Sequence, residues 1–157
     1  MTTAEQSLVV LAPVAGTVRA LADVPDPVFA EAMVGPGIAV DPGTVERAEV
    51  RAPVSGVLVK MHPHAFALVG AGGRGVLVHL GIDTVQLAGA GFTLHAAEKD
   101  AVEAGQLLVT FSPAQVAAGG RSPITPVIAL DTVADSLTLA VETGQEVLPG
   151  EELFSWT

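Results

Sequence analysis

The hydrophobic residues of this chain come in short, valine-rich runs separated by turn-forming residues. Glycine and proline, 17 and 11 of the 157 residues, divide the runs. Runs of this length bounded by such residues are typical of β-strands. Many short strands with closely spaced turns predict an all-β domain, an antiparallel β-sandwich with a barrel-like closure. The clearest runs occupy residues 7–11, 57–59, 76–80, 107–111 and 127–130.

Helical pattern is sparse, so we expect only a few short helices. One short helix is predicted at residues 113–118, with Ser112 as its N-cap and Gly119 at its end. Residues 28–34 and 131–137 are weaker candidates. The glycine-rich segment 70–75 lies between two predicted strands, which favours a hairpin tip over a domain boundary.

The chain also repeats itself. The sequence Ala-Pro-Val-Ala-Gly-Thr-Val at residues 12–18 returns as Ala-Pro-Val-Ser-Gly-Val-Leu at residues 52–58. A second pair matches residues 102–108 with residues 141–147. Two copies are too few for a solenoid. The pattern predicts a duplicated half motif packed into one domain, residues 8–157, after a short N-terminal tail, residues 1–7.

The charge balance restricts the partners. Seventeen acidic residues stand against seven Lys and Arg, a formal net charge of -10. Nucleic-acid binding depends on Lys and Arg that displace counterions, so this surface excludes it. Aromatic residues make up only 4% of the chain and Tyr is absent, which leaves little for base stacking. We therefore expect partners that are basic, or apolar with a basic rim.

Cysteine usage and hydropathy limit the class and the compartment. The chain has no Cys, which excludes a disulfide framework, thiol catalysis and a thiolate zinc site. Its first residues have no basic region before an apolar stretch, so no signal peptide is expected. No uninterrupted apolar run of about 18 residues predicts a membrane helix. We therefore expect a cytoplasmic protein.

The histidines are the candidate chemical groups. His79 lies in the aliphatic run 76–80 and is followed by Gly81 and Asp83. It is either a core histidine bonded to a backbone carbonyl, or a functional imidazole that Asp83 orients and that a ligand reaches beside Gly81. His64, after Pro63, is either a loop residue or a second functional group. The two remaining histidines, His62 and His95, are expected to be ordinary surface residues.

Several segments in one order resemble the glucose-family IIA component of the bacterial sugar phosphotransferase system. The most specific are Asp-Val-Pro-Asp-Pro-Val-Phe-Ala-Glu at residues 23–31 and Val-His-Leu-Gly-Ile-Asp-Thr-Val at residues 78–85. His-Ala-Phe at residues 64–66 lies between them, and residues 10–13 and 35–39 also match. The resemblance runs from about residue 8 to the end. It implies an antiparallel β-sandwich, in agreement with the strand pattern.

The resemblance implies a phosphotransferase component, a phosphohistidine carrier. Such a protein takes a phosphoryl group from the histidine phosphocarrier protein and donates it to the IIB domain of a sugar permease. His79 matches the phosphoryl acceptor, and His64 matches the second active-site histidine, which supports the transition state. Asp26 and Asp83 match acidic residues that flank the site. The transfer requires no cofactor. The family often has a Thr where this chain has His62.

The family's docking face is an apolar patch around the histidines. Its acidic rim would attract the basic face of a carrier. Family members also bind transporters and metabolic enzymes in their unphosphorylated form, and phosphorylation would add negative charge to this patch. A regulatory role is therefore a further hypothesis. The residues that match the docking face are Val28, Phe29, Met33, Val34, Phe66, Leu77 and Val85.

Two other interpretations remain open. One is a zinc hydrolase, in which His62, His64, His79 and a carboxylate would bind the metal; in a weaker form, His64 and His79 share zinc with a partner's carboxylate. The other is a biotinyl or lipoyl carrier domain. The repeated Ala-Pro-Val-x-Gly motif favours this second interpretation, and Lys60 beside Met61 resembles part of its modified-lysine turn.

Overall fold

The computed structural model describes residues 7–157, so the predicted tail lies outside the described residues except for Ser7. The all-β prediction is confirmed, because these residues form fourteen strands. The strands are β1 (Leu8–Leu11), β2 (Gly16–Arg19), β3 (Gly37–Asp41), β4 (Ala48–Arg51), β5 (Gly56–His62), β6 (Ala65–Val69), β7 (Gly75–His79), β8 (Phe92–Leu94), β9 (Ala101–Val102), β10 (Leu107–Phe111), β11 (Thr125–Ala129), β12 (Leu137–Leu139), β13 (Glu146–Val147) and β14 (Glu152–Trp156).

The strands form three antiparallel sheets. The largest has eight strands in the order β13-β2-β3-β11-β7-β6-β5-β9, and the two smaller ones are β1-β14-β12 and β4-β10-β8. All three contribute side chains to one hydrophobic cluster, in which Phe66, Phe154 and Leu58 are fully buried. The predicted sandwich is therefore built from short strands around a shared core.

Two short α-helices accompany the strands, α1 (Pro27–Ala30) and α2 (Pro113–Ala118). The second is the helix that the sequence predicts, and the Ser112 hydroxyl accepts a hydrogen bond from the Gln115 amide at its start. The other two predictions were too long. Helix α1 ends early because Ala32 adopts a positive φ of 54°. Within 131–137 only a 3-10 turn forms, at Ala134–Ser136.

The glycine-rich segment 70–75 is the predicted hairpin tip, a 3-10 turn at Ala71–Gly73 between β6 and β7. The Gly70 amide donates to the Arg74 carbonyl across its base at 2.9 Å. Further 3-10 turns occur at Leu21–Asp23 and Thr84–Leu87. In the part of the chain from residue 7 onward, no helix is long and apolar enough to cross a membrane.

The backbone hydrogen bonds show that the fold is duplicated. The Leu11 amide donates to the Pro53 carbonyl at 2.9 Å, and the Arg51 amide donates to the Pro13 carbonyl at 2.8 Å. This reciprocal pair joins the two copies of the Ala-Pro-Val motif. The sheets β1-β14-β12 and β4-β10-β8 correspond strand by strand. The predicted match of residues 12–18 with 52–58 is therefore confirmed.

The second predicted repeat was out of register. Four turns of one kind occur at residues 97–100, 103–106, 142–145 and 148–151. In each turn, the backbone amide of the fourth residue donates to the carbonyl of the first residue. The side chain of the fourth residue accepts a hydrogen bond from the backbone amide of the first. The structure pairs the first two turns with the last two, so 103–106 corresponds to 148–151. Matching 102–108 with 141–147 had paired the second turn of one half with the first of the other.

One half of the duplication is inserted into the other. Residues 48–111 form one half, and residues 8–41 with 125–156 form the other. The Leu80 amide bonds the His64 carbonyl, and in the other half the Ala129 amide bonds the Pro36 carbonyl. Residue 79 therefore corresponds to residue 128, an isoleucine that is fully buried. The two halves share a backbone plan, and only one of them has histidines at these positions.

Candidate functional site

His79 is the last residue of β7. This strand turns Val76 and Val78 into the core and leaves Leu77 and His79 partly exposed on the other face. The Nδ1 atom of His79 lies 2.5 Å from the carbonyl oxygen of Gly81. A carbonyl oxygen only accepts hydrogen bonds, so Nδ1 carries the ring proton. The lone pair is therefore on Nε2, which makes that atom the nucleophilic one.

The turn after His79 presents this carbonyl. Gly81 has a φ of +80°, and Asp83 has a φ of +59°, both in the left-handed region. A Cβ atom on residue 81 would lie 2.7 Å from Cγ2 of Thr84 and 3.0 Å from the Ser122 carbonyl oxygen. The Thr84 hydroxyl donates to the Leu80 carbonyl at 2.8 Å. Gly81 is therefore required both for its backbone conformation and for the close packing around it.

His64 lies in the tight turn between β5 and β6, next to His79. Its carbonyl accepts from the Leu80 amide at 2.7 Å, so the backbones of the two histidine segments are joined. The ring centroids of His64 and His79 are 5.3 Å apart and the rings meet edge-on, at 71°. The structure thus brings together the two histidines that the resemblance assigned to the site.

His62 is part of the same group. The phosphocarrier interpretation treated it as an ordinary surface residue, and only the zinc-hydrolase alternative placed it with His64 and His79. Its ring is stacked on that of His64, with centroids 5.7 Å apart and an angle of 25° between the planes. The spacing of His62 and His64 was a signal for this contact. The two residues flank Pro63 in a tight turn, and side chains in such positions can face each other. His95 is elsewhere, with Nε2 3.1 Å from the Thr110 hydroxyl, as expected for a residue outside the site.

Helix α1 brings a carboxylate and a phenyl ring to the site from the other half of the fold. The Asp26 side chain caps the helix by accepting from the Val28 amide at 2.9 Å. The Phe29 ring lies 5.1 Å from the His79 ring, centroid to centroid. Asp26 and Asp83 both act on the charge of His79 and raise its pKa. Both predicted acidic residues therefore flank this imidazole.

The site as a whole favours neutral imidazoles. Burial lowers the pKa of His79 below its ordinary value of 6.5, against the Gly81 carbonyl, Asp26 and Asp83, which raise it. Burial also lowers the pKa of His64, and the neighbouring His79 and His62 add to that effect. Since a protonated imidazole has no lone pair, the lowered pKa of His79 keeps its Nε2 lone pair available near neutral pH. The lowered pKa of His64 keeps that ring neutral as well.

The predicted docking residues divide into three groups. Val28, Met33 and Val85 are exposed at 42%, 70% and 60%. Val34 and Leu77 are half-buried. Phe66 and Phe29 were predicted as surface contacts, and for these two residues the prediction was wrong. Phe66 is fully buried because β6 is an interior strand, and Phe29 is 7% exposed because it packs into the hydrophobic cluster beneath α1. Phe29 contacts the His79 ring, and Phe66 belongs to the main hydrophobic core.

The structure does not favour the two other interpretations. Within residues 7–157 no group of three or more His, Cys, Asp and Glu side chains is placed to hold a metal ion, so the site that the zinc hydrolase needs is not formed. Zinc shared by His64, His79 and a partner's carboxylate stays a prediction. Lys60 lies inside β5 opposite Ala67, so it does not occupy the turn that a biotinyl or lipoyl domain requires.

A hollow of about 700 Å³ opens elsewhere on the protein, between Val14, Val45 and Leu148. It shares no lining residue with the histidine site. Transfer of a group between two proteins requires an accessible surface rather than an enclosed cavity. His79 and His64 are both partly exposed, which is consistent with such a transfer.

Comparisons with known proteins agree with this chemistry. Residues 8–136 match the family model of the phosphoenolpyruvate-dependent sugar phosphotransferase system, EIIA 1. The solved structure of glucose permease IIA from Mycoplasma capricolum is similar, with 36% sequence identity and a TM-score of 0.85. The match covers 99% of each chain. This chain therefore belongs to the EIIA 1 family of the phosphoenolpyruvate-dependent sugar phosphotransferase system, and its role is that of a phosphocarrier in sugar transport.

Proposed function

We propose that His79 accepts a phosphoryl group on Nε2 from the histidine phosphocarrier protein and donates it to the IIB domain of a sugar permease. The observation that carries this proposal is the bond between Nδ1 of His79 and the Gly81 carbonyl. It leaves the Nε2 lone pair as the reactive one. The proposed partners work in the cytoplasm, so we place this protein there as well.

The proposed step exchanges one phosphorus–nitrogen bond for another. The Nε2 lone pair of His79 attacks the phosphorus of the donor's phosphohistidine, in line with the bond that breaks. That bond breaks with its electron pair returning to the donor's imidazole nitrogen. The donor's other ring nitrogen carries a proton in this step, so the donor leaves as a neutral imidazole. No proton is gained or lost overall, since Nδ1 of His79 also keeps its proton on the Gly81 carbonyl. The reverse chemistry then delivers the group to the IIB domain, and neither step needs a metal for its balance.

His64 is proposed to support the transition state. Negative charge is spread over the phosphoryl oxygens as the group moves. A neutral imidazole has one N–H, and that of His64 would donate to one of these oxygens if it faces the transferred group. The two rings lie edge-on with centroids 5.3 Å apart, which supports this role. His64 would therefore affect the rate of transfer without being the acceptor.

Docking is proposed to use the exposed apolar residues Val28, Met33 and Val85. Val28 lies in helix α1 and Val85 in the turn after His79. Asp26 and Asp83 add negative charge at the site, on a chain of net charge -10. A partner with basic residues around an apolar centre fits this surface, and its association would be accelerated by charge. Phosphorylated His79 would place negative charge amid these apolar residues, which would disfavour partners that bind the unphosphorylated surface.

The test is a reconstituted relay with phosphoenolpyruvate, its first enzyme, the histidine phosphocarrier protein and this protein, read by intact mass. Wild type is compared with His79→Ala and His64→Ala. His95→Ala is the matched control, because His95 lies outside the site. We expect one acid-labile phosphate on wild type and on the control, and none on His79→Ala. His64→Ala should accept phosphate and transfer it to the IIB domain at least about tenfold more slowly.

Two results would contradict the proposal. Wild type that stays unmodified with active cognate carriers would exclude the carrier role. Label on His64 in wild type would exchange the roles of the two histidines. The phosphorylated nitrogen is identified by the ³¹P and ¹⁵N resonances of the product, and phosphate on Nδ1 would contradict the assignment of Nε2.

A further inference from the structure

The loop that follows α2 is tied to the segment that follows His79. We call residues 119–122 the α2 loop and residues 80–87 the His79 turn. The Arg121 guanidinium donates through NH2 to the Gln86 side-chain oxygen at 2.9 Å. The Ile82 amide donates to the Ser122 carbonyl at 2.9 Å. Two adjacent residues of the α2 loop therefore hold two positions of the His79 turn, one through a side chain and one through the backbone.

The His79 turn needs such restraint from outside. It contains two left-handed residues, Gly81 and Asp83, and the second is not a glycine. Backbone of this kind persists where the surrounding structure determines it. Inside the turn, the Thr84 hydroxyl bonds Leu80 and the Gln86 amide bonds the Asp83 carbonyl at 3.2 Å. The α2 loop supplies two further bonds from outside the turn, in addition to the bond of the Leu80 amide to the His64 carbonyl.

Arg121 is not placed simply to satisfy its own donors. Its NH1 atom donates to the Gly119 carbonyl at 3.3 Å, within its own loop. Its Nε atom is buried and has no hydrogen-bond partner among residues 7–157. A buried donor without a partner is unfavourable. The side chain therefore keeps a costly position in which its shortest bond, to Gln86, reaches the His79 turn.

We propose that Arg121 is a positioning residue, which through Gln86 fixes the His79 turn so that the Gly81 carbonyl holds the proton of His79 on Nδ1. The expected effect on the transfer rate rests on the proposed role of His79 as phosphoryl acceptor. The expected effect on the ring proton does not. If the turn loosens, the Gly81 carbonyl no longer faces Nδ1, and the proton distributes between the two ring nitrogens. Every molecule with the proton on Nε2 lacks the reactive lone pair there.

The first measurement needs no phosphoryl transfer. In protein with ¹⁵N-labelled histidine, the two imidazole nitrogen shifts of His79 report which nitrogen carries the proton, at a pH where the ring is neutral. Arg121→Ala removes both bonds of the guanidinium, Arg121→Lys keeps the charge without the planar fork, and Gln86→Met removes only the acceptor. Arg47→Ala is the control, because Arg47 lies beside Glu49 at an exposed position away from the site.

We expect His79 to be protonated at Nδ1 in wild type and in Arg47→Ala. In the other three variants a substantial share of the proton should move to Nε2, and acceptance of phosphate in the relay should slow by about tenfold. Gln86 is exposed, so Gln86→Met tests the proposal even if a change at Arg121 disturbs folding.

Unchanged nitrogen shifts in Gln86→Met and in a folded Arg121→Ala would overturn the proposal. Wild-type behaviour of Gln86→Met beside a changed Arg121→Ala would also overturn it, because the guanidinium would then act without its bond to Gln86. The failure of the proposed function gives a different result. In that case wild type accepts no phosphate, yet the shift of the proton from Nδ1 to Nε2 in the variants still establishes the positioning role.

Discussion

At the scale of single residues, His79 is held between opposing influences. Burial disfavours its protonated form, whereas the Gly81 carbonyl and the carboxylates of Asp26 and Asp83 favour it. Burial prevails, so the pKa is lowered from 6.5. The same carbonyl that raises the pKa also selects the tautomer. The site therefore keeps the proposed phosphoryl acceptor neutral while fixing which nitrogen carries the lone pair.

The lowered pKa of His79 makes folding depend on pH. In the unfolded chain His79 binds a proton near pH 6.5, whereas in the folded protein it binds one only at lower pH, so acid favours the unfolded state between these values. The contribution to stability is complete above about pH 6.5 and is lost as the pH falls through the folded-state pKa. We expect the free energy of unfolding, measured in urea, to fall more between pH 7.5 and pH 5.5 in wild type than in His79→Gln. Equal losses would contradict this assignment.

Gly81→Ala should damage both the backbone and the chemistry. The new Cβ would meet Thr84 and the Ser122 carbonyl in a residue with positive φ, and we expect a loss of about 2–4 kcal/mol in unfolding free energy. Gly73→Ala is the matched control, because Gly73 has a φ of +72° and nothing within 4 Å of the Cβ position. It should lose only about 1 kcal/mol.

Activity separates the two glycine variants further. Gly81→Ala should also lose phosphoryl acceptance beyond its loss of folded protein, because the carbonyl that fixes His79 moves. Gly73→Ala should retain the wild-type rate per folded molecule. Equal unfolding free energies for the two variants would show that packing at Gly81 is unimportant.

The site residues were predictable to different degrees. His79, His64, Asp26 and Asp83 lie in motifs that identify them without a structure. The bond from His79 to Gly81 was not predictable, since it depends on a left-handed conformation that the sequence permits but does not require. Phe66 was assigned to the docking face from the resemblance. The burial of a strand residue depends on which strands lie on either side, and β6 lies between β5 and β7 inside the large sheet.

At the scale of elements, helix α1 has two roles despite its four residues. Pro27 at its first position and Asp26 at its cap begin it. The cap residue is also one of the two carboxylates that act on His79. The Asp26 side chain therefore both caps the helix and acts electrostatically on His79.

Substitutions at Asp26 should separate these roles. Asn retains an oxygen that caps a helix and removes the charge, whereas Ala removes both. We expect Asp26→Asn and Asp26→Ala to lower the pKa of His79 equally, since Asp26 raises it. Only Asp26→Ala should lose stability, by about 1 kcal/mol. The pKa is read by NMR titration and stability by urea unfolding. A pKa of His79 that stays at the wild-type value in both variants would show that Asp26 acts only as a cap.

Local signals determined which helices could be predicted. Helix α2 lies between a capping serine and two glycines, so its limits are written in the sequence. Residues 28–34 have helix-compatible residues but end where Ala32 takes a positive φ, before Gly35 and Pro36. That end is determined by the return of the chain to β3. Short helices between strands are generally fixed by the strands that they connect.

At the scale of the molecule, the candidate site comes from the difference between two similar halves. The turn between β5 and β6 is short and carries His64, whereas the corresponding connection between β2 and β3 spans residues 20–36. The longer connection covers Ile128, the counterpart of His79, and extends to the site with Asp26 and Phe29. One half thus supplies the histidines, and the other supplies their cover and a carboxylate.

The duplication predicts a matched pair of substitutions. A Cβ on Gly16 would collide with the Asp41 carbonyl, and one on Gly56, its counterpart, with the Val69 carbonyl. Both neighbours are backbone atoms within the large sheet. We expect Gly16→Ala and Gly56→Ala each to cost about 3 kcal/mol or more in chemical denaturation. The control Gly43→Ala, with open space around its Cβ position, should cost about 1 kcal/mol. Substitution effects at Gly16 and Gly56 that differ widely would argue against their equivalence.

The sequence revealed the duplication but not its register. The Ala-Pro-Val motif was aligned correctly because its proline and glycine have fixed structural roles in both halves. The Gly-Gln turns were misaligned, since each half contains two turns of one kind only six residues apart. Local turn chemistry is identical in them, and only the strands that follow distinguish the first from the second.

The pairing of β1 with β14 has a consequence for how the chain can be rearranged. Leu8 lies opposite Trp156, so the first and last strands are hydrogen-bonded neighbours. A short linker can join them, and new ends can be opened at the exposed tip around Gly72 and Gly73. Such a circular permutant keeps every strand pair and both histidines. The order in which the polypeptide is synthesised is therefore separable from the architecture that performs the chemistry.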